Sequence, residues 1–270
     1  MSKTIVITGS TDGIGKLAAI QLAKDGHEIY LHGRNPEKLD KVIAEVKEAS
    51  NNMNIDGFVA DFSDINAVRS MSKDILEKLS KIDVLINNAG IFKSPVQKTK
   101  DGLDIRFAVN YFAPYVLTNA LLPLLEAGEH TRIINLSSAA QSPVRIGALN
   151  GDASINESEA YAQSKLALTM WSFNLAERFE NISVVAVNPG SLLNTRMANE
   201  AYGQHWSPAT KGSDVLYELA VSDEFKGITG KYFDNDKGNP KGIFSPAHSD
   251  AYNEDLISEL IKNTKVVLKF

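Results

Sequence analysis

Tyr161 and Lys165, four apart in AYAQSKLAL, and Ser138, in RIINLSS, have the residue types and spacing to handle a proton at an oxygen atom. On a helix, residues i and i+4 share a face, so the phenol and the ammonium stand side by side. A nearby cation favours the phenolate and lowers a tyrosine pKa toward a useful range. A serine hydroxyl closing the same site polarises a carbonyl. Together these are a proton donor, the group that tunes it and an electrophilic contact. Y-x-x-x-K also arises by accident on exposed helices, so the chemistry depends on the elements that deliver these residues.

The first such element is a short β-branched strand, Thr4 to Ile7, followed by TGSTDGIG and an apolar-periodic run from Ile14 to Lys24. Gly26 follows as a helix stop. Strand, glycine loop and helix in that order suit a pyrophosphate. Glycines let the backbone approach, and the helix N-terminus offers free N–H groups and the positive end of its dipole. Gly9, Ser10, Thr11, Asp12, Gly13, Ile14 and Gly15 are therefore the candidate phosphate-binding residues. The spacing is G-x-x-x-G-x-G, not the G-x-G-x-x-G of the common dinucleotide fingerprint. A glycine turn that merely packs a helix on a strand is the competing reading, but the strand before and the helix after favour phosphate.

The next strand, Glu28 to His32, runs into Gly33-Arg34-Asn35. An NAD site usually places an acidic residue here for the ribose 2′-hydroxyl. Arg34 suits a 2′-phosphate instead, so NADP(H) is preferred over NAD(H). Asp12 counts against this by placing negative charge near that phosphate. Lys38, one helical turn on, either adds charge or faces water.

Pro36 to Ser50 reads as a polar amphipathic helix with Pro36 in its first turn. A strand from Ile55 to Ala60 ends at Asp61-Phe62, and Ser63 is the expected N-cap of a helix from Asp64 to Leu79. The fourth strand, Ile82 to Ile86, ends in Asn87-Asn88-Ala89-Gly90. Leu103 to Leu125 reads as one long helix. Asn110 inside it competes for backbone bonds, so it is either exposed or engaged, and Pro114 is a candidate kink. Thr131 to Leu136 is the fifth strand and delivers Ser137-Ser138. Gln141 to Glu157 is irregular, Glu159 to Phe179 is the helix carrying Tyr161 and Lys165, and Val184 to Asn188 is the sixth strand, ending at Pro189-Gly190. The alternation implies an α/β fold, a doubly wound and mostly parallel sheet with helices on both faces and right-handed crossovers. Gly9, Asp61, Asn88, Ser138 and Pro189 all fall just past strands, on the edge where such sheets bind ligands.

Composition sets the bounds. The chain of 270 residues has no composition break, so one domain over 1–270 is expected. Hydrophobic residues make up 43% and charged residues 23%, a globular profile. A net charge of -5 without a dense Lys/Arg block argues against nucleic acid as a partner. No apolar run is long enough to span a bilayer. MSKTIVITGS enters a strand pattern almost at once, which leaves no room for a signal peptide, and KVVLKF matches no address or prenylation signal. The cytoplasm is the expected location. The lack of cysteine excludes disulfides and a cysteine nucleophile, and no His/Asp/Glu cluster has metal-ligand spacing, so no metal is expected.

TGSTDGIG, NNAG (87–90), FAVN with Asn110, NLSS (135–138), YAQSK (161–165) and NPG (188–190) come in the order of the short-chain dehydrogenase/reductase family, and the chain up to about Thr195 resembles it. The resemblance implies a Rossmann-type sheet, usually of seven strands, and NAD(P)-dependent hydride transfer at a carbonyl or alcohol. It implies Tyr161 as general acid/base, and Lys165 as the group that lowers its pKa and holds the nicotinamide ribose hydroxyls. Ser138, in preference to Ser137, would orient the substrate, and Asn110 would hold a water in the proton relay. Asp61 would contact the adenine with Phe62 beside it, Asn88, Ala89 and Gly90 would wall the cofactor, and Pro189, Gly190 and Thr195 would cover the carboxamide.

Ser138 and Tyr161 lie 23 residues apart, wider than in many members, with the extra segment at roughly Ala148 to Glu157. That spacing, HGRN after the second strand and GKYF (230–233) resemble the branch of retinol dehydrogenases and protochlorophyllide-reductase-like proteins, which favours NADP(H). With no anchor before the domain, a membrane-bound retinoid role is not expected. Helices Leu103–Leu125 and Glu159–Phe179 resemble those that pair subunits in many relatives, so a homo-oligomer is compatible with them provided the inserted segment leaves that face open. Ser191 to Gly212, with Met197, Tyr202, His205 and Trp206, reads either as a lid over an apolar substrate or as packing. Lys237 to His248 is a Gly/Pro-rich loop that borders the pocket or a partner. The expected function is NADP(H)-dependent interconversion of a carbonyl and an alcohol. A cofactor-sensing protein without turnover and a reductase of C=C bonds are the alternatives. The intact Ser/Tyr/Lys set favours catalysis over sensing.

Overall fold

The inner strands of this protein are apolar on both sides, and the sheet is accordingly covered on both. The structure, a computed structural model, describes residues 2–238 and 241–269, with the side chain of Tyr202 outside the described set. Its strands are β1 (Thr4–Ile7), β2 (Glu28–Gly33), β3 (Ile55–Val59), β4 (Val84–Asn87), β5 (Thr131–Leu136), β6 (Ile182–Asn188), β7 (Lys231–Asp234) and β8 (Ile243–Phe244). Side chains alternate across a strand. Ile5 and Ile7 enter one apolar cluster and Val6 the other; Val84 and Ile86 part from Leu85, and Ile134 from Ile133, in the same way. A sheet of this kind needs a helical layer on each face. Helices α1 (Gly13–Lys24) and α2 (Pro36–Ser50) serve one face and α3 (Ile65–Lys78) the other.

The sheet order is β3-β2-β1-β4-β5-β6-β7-β8, parallel throughout except for the antiparallel β7–β8 pair. Strand order reverses between β1 and β4, where parallel α/β sheets open a ligand crevice at the carboxyl ends. The sheet has one strand more than the resemblance implies. β8 lies within the stretch read as a loop from Lys237 to His248, of which Asn239 and Pro240 lie outside the described residues. It is held edge-on by aromatic packing, Phe244 on Phe233 at 5.1 Å and on Phe225 at 5.9 Å.

Helix starts follow side-chain caps. Asn35 accepts from the Lys38 N–H ahead of Pro36. At α3 the cap is Asp64, which accepts from the Asn66 N–H, and not Ser63, whose N–H and Oγ both donate to Asp61. The expected long helix 103–125 is broken into α4 (Ile105–Phe107), a π-helical turn (Ala108–Phe112), α5 (Ala113–Ala120) and α6 (Leu122–Glu126). Pro114 has no N–H for the Asn110 carbonyl and its ring crowds that oxygen. The chain widens instead, and the Ala113 N–H reaches back to the Ala108 carbonyl. The segment read as irregular holds a short helix, α7 (Ile146–Leu149). Asn156 then caps α8 (Glu157–Arg178), which begins two residues earlier than its periodicity predicts.

The remaining helices are α9 (Arg196–Tyr202), α10 (Ala209–Val221), which joins α1 and α2 on their face, and α11 (Glu254–Leu268). α11 packs against α7 and α8, burying Leu260, Thr264 and Leu268, and Thr264 Oγ1 lies 2.7 Å from the Tyr111 hydroxyl on the π turn. The chain's own C-terminal helix therefore packs on part of the surface that resembles a subunit-pairing face. Among the described residues no helix is long and apolar enough to cross a membrane.

Candidate active site

The carboxyl ends of β1 to β6 open onto one cavity of about 1130 Å³. Its floor depends on close backbone approach. Gly9 follows β1 at φ +63°, and a Cβ there would lie 2.6 Å from Ala89 Cα, so only glycine lets the loops after β1 and β4 meet. The Asn88 amide donates to the Thr8 and Gly9 carbonyls at 2.9 and 2.8 Å and ties the same two loops. A Cβ on Gly15 would collide with that amide. At the start of α1, Asp12 accepts from the Gly13 N–H at 2.9 Å, and the Lys16 N–H closes the first helical bond onto the Asp12 carbonyl. The N–H groups of Ile14 and Gly15 between them have no partner within the helix. That geometry fits a pyrophosphate.

Buried His32 locks this loop to the sheet. Its Nδ1 accepts from the Gly9 N–H at 3.0 Å, which leaves Nε2 to donate to the Ala60 carbonyl at 3.0 Å, and its ring stacks on Phe62 at 4.1 Å. Burial pushes the imidazole down to about 4, so it is neutral at pH 7. Asp12 keeps its charge. Burial raises its pKa, but bonds from Lys38 and the Gly13 N–H outweigh that and hold the carboxyl below its ordinary value. The Lys38 ammonium sits 3.0 Å from Asp12, so these two residues largely neutralise each other.

Ser138, Tyr161 and Lys165 all border the cavity. The two serines after β5 are sorted by their bonds. Buried Ser137 turns its Oγ onto α8, to the Lys165 carbonyl at 3.1 Å and Thr169 Oγ1 at 2.7 Å. Half-buried Ser138 keeps its Oγ on the cavity side, accepting from the Ala140 N–H at 3.1 Å. The Ser138 carbonyl is fixed by Gln141 Nε2 and by the Tyr232 hydroxyl, each at 2.9 Å. Lys165 is buried; its Nζ donates to the Leu136 carbonyl at 2.7 Å and lies 5.6 Å from the Tyr161 ring centroid. Burial, with no carboxylate among the described residues close enough to offset it, pushes the ammonium down to about 7. Phe92 packs edge-on to the Tyr161 ring at 4.8 Å.

Seventeen of the expected site residues border this cavity: Gly9, Thr11, Asp12, Gly13, Ile14, Arg34, Asp61, Phe62, Asn88, Ala89, Gly90, Ser138, Tyr161, Lys165, Pro189, Gly190 and Thr195. Ser10, Gly15 and Asn110 stand behind its wall. Ser10 Oγ donates to the Ile7 carbonyl and accepts from the His32 N–H. Asn110 is engaged rather than exposed: its Oδ1 accepts from the Ile91 N–H at 2.8 Å, and its Nδ2 donates to the Ile91 carbonyl and to Ser164 Oγ, both at 3.0 Å. Asn110 Oδ1 and Lys165 Nζ each lie 3.4 Å from the point a Cβ on Gly90 would occupy. Sequence reasoning passed over His32, Gln141, Tyr232 and Arg196. His32 and Tyr232 sit within HGRN and GKYF, so a signal existed; for Gln141 and Arg196 there was none.

A profile of the short chain dehydrogenase family matches residues 3–205. The chain belongs to the short-chain dehydrogenase family. As a member it is an oxidoreductase acting on a CH–OH or C=O group. It is 32% identical over 252 residues to retinol dehydrogenase 13 of Homo sapiens, across 86% of this chain and 76% of the relative. It is 30% identical over 257 residues to human polyprenol dehydrogenase, across 87% and 77%. Among solved structures, a short-chain dehydrogenase from Escherichia coli CFT073 complexed with NADPH superposes with a TM-score of 0.70 at 26% identity, covering 86% of this chain and 95% of that one. A protein from Mycobacterium paratuberculosis shares the fold over 99% of this chain and 93% of its own, with a TM-score of 0.80 at 24% identity.

Proposed function

We propose that this short-chain dehydrogenase interconverts an apolar aldehyde or ketone and its alcohol using NADP(H), with Tyr161 as general acid/base. The observation that carries the reading is the meeting of Ser138, Tyr161 and Lys165 in one cavity with the glycine loop and Arg34. When bound, the nicotinamide supplies or accepts the hydride. The residues of the chain do the rest. Ser138 Oγ and the Tyr161 hydroxyl hold the carbonyl oxygen, and Tyr161 delivers the proton to it in the reductive direction. Lys165, pushed down to about 7, takes up and releases a proton near neutrality and so resupplies the phenol. The methyl-sized gap at Gly90, between Lys165 and Asn110, is the place for a relaying water. Holding the two reactants together accounts for much of the acceleration, about 7 kcal/mol or more.

Three features support NADP(H). Arg34 is exposed at the cavity and has no hydrogen-bond or ion-pair partner among the described residues. It stands where an NAD site carries an acid. Two solved relatives, both 26% identical, are complexed with NADP and NADPH. An apolar substrate is supported by a cavity wall containing Ile91, Phe92, Ile105, Val109, Met197 and Trp206, and by relatives named for retinol and polyprenol. Segment 191–212 forms part of that wall and acts as its lid.

Fluorescence titration with NADPH and NADH, followed by a panel of medium-chain and isoprenoid aldehydes and ketones, tests the proposal. Selective NADPH binding with oxidation by at least one carbonyl supports it. Tight binding with no turnover across aldehydes, ketones and enones would overturn the catalytic reading, and tighter binding of NADH would overturn the cofactor.

A further inference from the structure

We infer that Arg196 is a second contact for the 2′-phosphate, opposite Arg34, and that through it the phosphate holds segment 191–212 over the substrate end of the cavity. The inference rests on the NADP(H) reading above. A side cavity of about 550 Å³ adjoins the large one, and Thr11, Arg34, Lys38 and Arg196 border both. Its lining carries four cations, the fourth being Lys41, against one carboxylate, Glu37. Not all four are available. Lys38 is held by Asp12 at 3.0 Å, whereas Lys41 stays largely exposed, 4.0 Å from a Glu45 that Lys16 already holds, and lacks the planar fork of a guanidinium. Arg34 has no partner among the described residues. Arg196 gives only its Nε–H to Glu200, at 2.6 Å, and its two terminal nitrogens make no hydrogen bond among the described residues. Guanidinium groups with free forks are the residues that take a phosphate bidentately.

The two arginines come from different parts of the molecule. Arg34 follows β2 on the fixed sheet edge, and Arg196 is the first residue of α9, inside segment 191–212. That segment is tethered where it leaves β6: the Ser191 N–H and Oγ donate to Asp236, and Leu192 turns through a left-handed φ of 47°. Its next residue along α9, Met197, faces the opposite end of the site. The Met197 methyl lies 3.7 Å from the Cβ position of Gly90, beside Lys165, and Met197 and Ala201, one turn apart, border the large cavity. Adjacent residues of one short helix thus read the 2′-phosphate and the substrate floor. A charge placed between Arg34 and Arg196 draws α9 toward the sheet edge and Met197 with it.

The probe is adenosine 2′,5′-bisphosphate, with 5′-AMP as the control lacking the 2′-phosphate, titrated by calorimetry into the full chain and its Arg196→Gln and Arg196→Lys variants. The second readout is chymotryptic cleavage within 191–212, where Trp206 is 67% exposed. Arg196→Gln should bind the bisphosphate about tenfold more weakly, the worth of one charge-assisted bond, with AMP unchanged and Arg196→Lys between. The bisphosphate should slow cleavage of the wild type and not of Arg196→Gln. Equal bisphosphate affinity in wild type and Arg196→Gln would overturn the contact while leaving the NADP(H) reading intact. Weaker binding with unaltered protection would overturn the coupling to the segment. A wild type that does not distinguish bisphosphate from AMP would overturn the NADP(H) reading and this inference with it.

Discussion

Replacing Lys165 by methionine should make the protein more stable while removing its activity. The Lys165 ammonium is buried, donates to the Leu136 carbonyl, and is pushed from 10.5 down to about 7 by desolvation. In the unfolded chain it regains its ordinary value. At pH 7 that difference corresponds to about 4 kcal/mol of folding free energy lost to keeping the charge in the site. Methionine removes the charge and keeps a flexible apolar stem. The substitution forfeits one hydrogen bond, worth about 1 kcal/mol. The expected net gain at pH 7 is about 2–3 kcal/mol, or a Tm rise of roughly 5 °C for a chain of this size. The pH dependence identifies the cause. Between pH 7 and 10.5 the unfolded wild type binds more protons at this residue than the folded one, so wild-type stability rises with pH across that window. Lys165→Met lacks that rise, so the gap is widest below pH 7 and closes toward pH 10.5. Urea unfolding of both proteins at pH 7 and 10 measures it. A variant less stable than wild type at pH 7, or a gap that stays flat between the two pH values, would refute the desolvation account.

Three further outcomes follow from the bonds of the site. Ser138→Ala should lower kcat/KM about 100-fold with little change in stability. Ser137→Ala should lower stability by about 1–2 kcal/mol, because its hydroxyl ties β5 to α8, and leave kcat within a few-fold; the reverse pattern would reassign the two serines. His32 should make the fold acid-sensitive: the unfolded chain protonates it below 6.5 and the folded one only near 4. Stability is therefore lost as pH falls through that window, by about 3 kcal/mol in all. Urea midpoints at pH 7 and 4.5 should fall less for His32→Gln than for wild type, and equal falls would contradict the assignment.

The sheet and the site edge were legible because they rest on local signals: β-branched runs, glycines and polar residues just past strands. The misplaced boundaries have local causes too. Ser63 and Asp64 are both competent caps, and only the tertiary course of the chain commits Ser63 to Asp61. The π turn is a compromise between Pro114 and the long-range demand of Ile91 and Ser164 on Asn110, which no periodicity records. Glycine spacing pointed to phosphate without showing that Gly9 and Gly15 are required by contacts to Ala89 and Asn88, some eighty and seventy residues away. The cover that α11 places over α8 was not legible, since an amphipathic C-terminal helix does not state which face it will meet.

The central claim is that Tyr161 moves the proton. Tyr161→Phe keeps the ring that packs on Phe92 and lies near Lys165, so the site should survive the change. The decisive measurement is turnover of this variant on a carbonyl the wild type reduces, together with its NADPH affinity. Loss of kcat by about a thousandfold with an NADPH Kd close to that of the wild type is the predicted result. Turnover within tenfold of the wild type would contradict the account.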